Sequence, residues 1–133
     1  MGEVHGGKAF PMLVPPWNRI DAALLPHLRN LGYRALSGFG VARPQASVPV
    51  VNTHIDLIDW RGMRGCRDHA VLIAGLVDHI GRARLTGEPV GILTHHLVHD
   101  AGVWAFLESL FRLTCGYDCC AWLTANDSAF AAV

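Results

Sequence analysis

The sequence predicts an α/β fold in which mostly parallel strands alternate with helices, and three observations carry that reading. Short apolar runs at 9–14, 33–37, 50–56 and 90–93 are bounded by glycine, proline or polar breakers and have strand length. Between them lie amphipathic stretches that begin after Asn18, Asp68 and Asp100, residue types that cap helix N-termini well. Polar, chemistry-bearing side chains gather where the apolar runs end, and α/β sheets collect ligands and catalytic groups at that rim.

The first element is a strand candidate from Ala9 to Val14, behind a glycine-rich lead-in and interrupted by Pro11. Pro15 and Pro16 stiffen the next loop, which presents Trp17 and Asn18. Asn18 then caps a helix to about Leu31, with Ile20, Ala23, Leu24, Leu28 and Leu31 apolar, Pro26 kinking or splitting it and Gly32 stopping it. Tyr33 to Ser37 is a second strand, followed by a loop to Pro49. Val50-Val51-Asn52-Thr53-His54-Ile55-Asp56 is a third, β-branched at its start and polar at its end. Asp68 caps a helix to about Arg84 whose Val71, Leu72, Leu76, Val77 and Ile80 form one apolar face, with Asp78 and His79 on or near the solvated side. Val90 to Leu93 is the fourth strand. Asp100 caps the last helix, apolar over more than half its circumference through Val103, Trp104, Phe106, Leu107, Leu110, Phe111 and Leu113.

Composition bounds the function. A chain of 133 residues, 51% hydrophobic and with zero formal net charge, is one globular domain, 1–133, without a disorder signature. Neutrality argues against nucleic acid or an anionic membrane as partner, since both need a basic surface. Lys8 is the single lysine, and the arginine bias reads better as coding bias than as phosphate binding. No apolar run approaches the roughly 18 residues that span a bilayer, and the start lacks the pattern of a signal peptide, so a cytoplasmic protein is expected. Cys66, Cys115, Cys119 and Cys120 fit neither a zinc ribbon nor a disulfide framework and read as reduced thiols.

The stretch Gly91-Ile92-Leu93-Thr94-His95-His96-Leu97-Val98-His99-Asp100 places three histidines and an aspartate where a strand gives way to a helix. His54, Asp56 and Asp59 end the preceding strand and face the same rim. Asp56-Leu57-Ile58-Asp59-Trp60 resembles the D-x-x-D-W motif, and Leu93-Thr94-His95 the later L-x-H motif, of polysaccharide deacetylases, carbohydrate esterase family 4. Pro15-Pro16-Trp17 stands where that family has its arginine-x-proline-aromatic motif. The resemblance covers roughly residues 14 to 111 and is to the C-terminal half of the family's domain. It implies a partial (β/α) barrel and hydrolysis of an N-acetyl group on a sugar or a related acyl amide. His95 would be the general acid for the leaving amine, Asp59 the carboxylate that orients it, Trp60 a wall and Leu93 the lining for the acetyl methyl. Trp17, Asn18 and Asp56 would contact substrate. A carboxylate beside an imidazole favours its protonated form, and well-placed acid–base groups contribute about 10²–10⁴ in rate.

The chain also departs from the family. Val14 stands in place of the motif's arginine, with Asn18 or Arg19 as replacements on the same loop. The Asp-Asp pair and the His-x-x-x-His, which in the family hold a zinc-type divalent metal, have no counterpart, so no metal ligand and no bound cofactor are expected of this chain alone. Catalysis would then need a separate N-terminal half; a homodimer is the other way to cover the edges of an incomplete sheet. Two alternatives stand beside this reading. One is a non-catalytic carbohydrate-binding or remnant domain stacking sugars on Trp17 and Trp60. The other is a metal-dependent phosphohydrolase using His95, His96, His99 and Asp100.

Overall fold

A computed structural model describes residues 9–40 and 43–130. The glycine-rich lead-in with His5 and Lys8 lies outside them. The chain divides into two compact units, one from the N-terminal residues to Thr53 together with the stretch from Leu123 onward, the other His54–Trp122. Each contains a small two-stranded parallel sheet, and the described residues close no barrel.

In the first unit, β1 (Met12–Leu13) pairs in parallel with β2 (Ala35–Leu36), Met12 opposite Ala35 and Leu13 opposite Leu36. Parallel bridges Leu36 to Val50 and Phe39 to Thr53 extend the pairing. Leu25, Leu28, Leu36 and Val48 form the core beneath it. The α-helix expected from Asn18 to Leu31 is instead a 3-10 helix over Ala22–His27, capped by Asp21, whose carboxylate accepts from the Ala23 amide at 2.9 Å. Pro26 explains the difference, because it has no amide proton and its ring collides with the carbonyl one turn back in an α-helix. Asn18 is no cap; with φ of 57° it sits in the left-handed region, as does Trp17 at 51°. A helix that the periodicity did not predict, Ala125–Phe130, begins with a reciprocal cap: the Thr124 amide and hydroxyl donate to Asp127 Oδ2, and the Asp127 amide donates back to Thr124 Oγ1.

In the second unit, β3 (Ile55–Asp56) runs parallel to β4 (Ile92–Leu93), Ile55 opposite Ile92 and Asp56 opposite Leu93. Helix α1 (His69–Thr86) starts where Asp68 accepts from the amides of Ala70 and Val71, and it ends at Gly87 with φ of 75°, a conformation glycine adopts freely. Helix α2 (Ala101–Thr114) starts at Asp100. Leu72 and Leu76 of α1 and Val103, Phe106 and Leu107 of α2 pack on Ile55, Leu57 and Ile58. The buried face of α1 is narrower than the periodicity predicts, since Val71, Val77 and Ile80 are exposed. Positions 72, 76 and 79 share the inward stripe of a 3.6-residue period. His79, expected near the solvated side, therefore lies half-buried against His54, their rings 5.0 Å apart, while Asp78 is exposed and pairs with Arg82 at 2.7 Å.

Candidate active site

Asp56 is the last residue of β3, and His95 follows β4 by two residues, so the parallel register brings both to the same carboxyl end of the sheet. His95 Nε2 lies 3.3 Å from Asp56 Oδ1, with both side chains mostly buried, 29% and 15% exposed. The approach is oblique. Nε2 is enclosed and has no acceptor in line with it, so the contact is an ion-pair distance and not a linear hydrogen bond. Two other donors fix the carboxylate: the Ile58 amide reaches Oδ1 at 3.0 Å and the Trp60 indole N–H reaches Oδ2 at 2.9 Å. The Trp60 ring stands edge-on to the His95 imidazole, 4.8 Å between centroids, and covers the pair on one side.

Asp59, the carboxylate expected to orient His95, faces elsewhere. Its Oδ1 accepts from the amides of Arg61 and Gly62 at 3.3 and 3.1 Å, and its backbone bonds to Gly65 and Arg64 close the loop. This turn chemistry, in which an aspartate satisfies amides two and three residues ahead, takes the carboxylate out of the site. A Cβ at position 62 would collide with that carboxylate, so a larger residue there would have to displace the Asp59 side chain. The histidine and aspartate are at the predicted rim, but the carboxylate at the imidazole is Asp56. Leu93, opposite Asp56 in the sheet, is half-buried beside them.

The remaining residues of the cluster have structural partners. Asp100 accepts from the Val103 amide at 2.9 Å and the Cys66 amide at 2.8 Å, which caps α2 and ties it to the loop after β3. These amides hold its carboxyl below the usual carboxylate range. His99 Nε2 accepts from the His95 amide at 3.1 Å. His96 is exposed. Among the described residues no group of three or more His, Cys, Asp or Glu side chains is placed to hold a metal ion. The lone pair of His99 and the carboxylate of Asp100, two of the four ligands of the metal-dependent phosphohydrolase alternative, already accept from backbone amides. No family model, curated protein or solved structure matches this chain.

Two further features of the second unit bear on its chemistry. His54 Nδ1 accepts from the Gly91 amide at 3.1 Å and so ties the start of β3 to that of β4. Burial, and secondarily the neighbouring His79, push its pKa down against a weaker upward pull from Glu88. All four cysteines are free, and the half-buried Cys66 thiol is pushed up by burial and by the charges of Asp100 and Asp68. In the first unit, Trp17 is 88% exposed on its left-handed backbone, and Asn18 is half-buried beside it. No helix among the described residues is long and apolar enough to cross a membrane.

Proposed function

We propose that this chain carries the proton-donating part of a polysaccharide-deacetylase-type site, which hydrolyses an N-acetyl or related amide group on a carbohydrate. The observation that supports it is the approach of His95 Nε2 to Asp56 Oδ1 at 3.3 Å under the edge of Trp60. In this proposal Asp56 takes the orienting role that the motif resemblance gave to Asp59. With Nε2 turned to the carboxylate, Nδ1 is the nitrogen that gives a proton to the departing amine, because an amide breaks only if its nitrogen leaves as a neutral amine. Trp60 limits water at the pair, and Leu93 lines the acetyl side. The groups that activate the attacking water come from a separate N-terminal half in the same proposal, and a cytoplasmic location, with four free thiols in its support, belongs to it too.

A second reading, sugar binding without catalysis, is favoured by Trp17. A large side chain held 88% exposed on a backbone with φ of 51° offers a flat apolar face of the kind that sugar rings stack on. The experiment that separates the two is acetate release from N-acetylated chitooligosaccharides, with and without added zinc, run beside a fluorescence titration of the same sugars. Acetate release that disappears in His95→Ala supports the deacetylase. Without the half that activates water, binding decides: saturable binding weakened in His95→Ala supports the deacetylase, binding weakened only in Trp17→Ala supports the second reading, and neither binding nor release contradicts both.

A further inference from the structure

Among the described residues two buried imidazole nitrogens have no hydrogen-bond partner, Nε2 of His95 and Nδ1 of His99, and both rings belong to one loop. The His95 backbone has φ of −133° and ψ of 72°, outside both helix and sheet, so the sheet ladder does not hold it. Two local bonds hold it instead. Its carbonyl accepts from the Val98 amide at 2.8 Å across the 3-10 turn His96–Val98, and its amide donates to His99 Nε2 at 3.1 Å. A ring nitrogen that accepts carries no proton, so this bond requires the neutral His99 with its proton on Nδ1. The His99 ring in turn stands edge-on to Trp104 in the first turn of α2, 4.8 Å between centroids. The next residue, Asp100, anchors that turn to the Cys66 amide.

We propose that His99 is a positioning residue, which sets the His95 imidazole against Asp56 by accepting the His95 amide and thereby ties the acid pair to the start of α2. The proposal rests on the acid role given to His95 above, but its geometry is independent of any reaction. Without the acceptor, the His95 backbone is free to rotate about its unusual ψ, and the imidazole leaves the 3.3 Å approach to Asp56. A half-buried amide left without a partner is itself unfavourable, so the loop would open to water rather than keep its present form.

The test uses the full chain, ¹⁵N-labelled. Long-range ¹H–¹⁵N spectra of the wild type should show His99 with a protonated Nδ1 and an unprotonated Nε2; the opposite tautomer overturns the proposal without any variant. His99→Gln places Oε1 where Nε2 stands and should keep exchange of the His95 amide near the wild-type rate. His99→Leu fills the space without an acceptor and should speed that exchange by about 2- to 10-fold, the range expected for one lost hydrogen bond. An unchanged rate in His99→Leu, or equal acceleration in both variants, overturns the acceptor role. No substrate enters these readouts, so a chain that releases no acetate leaves this result standing, and loss of this result leaves the acetate assay standing.

Discussion

Which face of α1 is buried is decided by a pair of truncations, Leu72→Ala and Val77→Ala. Leu72 is 1% exposed and packs in the cluster with Leu57, Ile58 and Val103, whereas Val77 is 65% exposed. Removing three buried carbons from Leu72 loses about 2.4 kcal/mol of transfer free energy at roughly 0.8 per methylene. Incomplete collapse of the site adds a cavity term, so the cost should fall at about 3 kcal/mol, inside the usual range of 2–5. The unit His54–Trp122 has about 70 residues and a stability on the order of 3–10 kcal/mol, so this loss is a large part of the whole. Val77→Ala should change stability by less than about 0.5 kcal/mol. Urea unfolding followed by tryptophan fluorescence measures both midpoints. Equal destabilisation by the two variants would refute the narrow buried face and restore the wider one that the periodicity predicts.

Other outcomes follow from the same structure. His54 has a folded pKa below its ordinary 6.5, so the unfolded chain binds more protons there. Its contribution to stability is present above about pH 6.5 and is lost as pH falls through the lower folded value, and melting temperature should drop over that window less steeply in His54→Phe. Iodoacetamide at neutral pH should label the exposed Cys115 and Cys119 before Cys66, whose thiol is half-buried and pushed up; peptide mapping that finds Cys66 modified first contradicts this. Val71, Ile73, Val77 and Ile80 leave apolar surface on α1, so light scattering should find self-association, against which a monodisperse monomer would count.

The sequence was legible where one local signal dominates. Asp68 and Asp100 cap α1 and α2 as their positions before amphipathic runs predict, whereas the stop at Gly87, past the expected end near Arg84, is seen only in the structure. The rim holding His95 and Asp56 was legible too, since strands end where apolar runs turn polar, but His54, expected at the same rim, lies at the start of β3 and Asp59 turns into its own loop. Which carboxylate reaches the imidazole was not legible. Two aspartates three residues apart are equivalent in a motif, and only the register, Asp56 opposite Leu93, together with the turn that engages Asp59, separates them. The α-helix expected from Asn18 does not form because Pro26 limits the segment to 3-10 turns instead of kinking or splitting an α-helix. The short helix Ala125–Phe130 had a signal, the Thr124-x-x-Asp127 cap, but no apolar period long enough to draw attention to it. The role of His99 depends on a backbone amide as partner, and side-chain spacing carries no trace of that.

The pairing of Asp56 with His95 at the ends of β3 and β4 is tested most directly by ¹⁵N spectra of the His95 ring in Asp56→Asn and Asp59→Asn. Asp56→Asn removes the charge 3.3 Å from Nε2 and alters the acceptor of the Trp60 indole, so the His95 ring nitrogens and the Trp60 indole N–H should all shift. Asp59→Asn alters a loop carboxylate that serves the Arg61 and Gly62 amides, and it should leave those resonances in place. A His95 ring that responds to Asp59→Asn and not to Asp56→Asn would contradict the account.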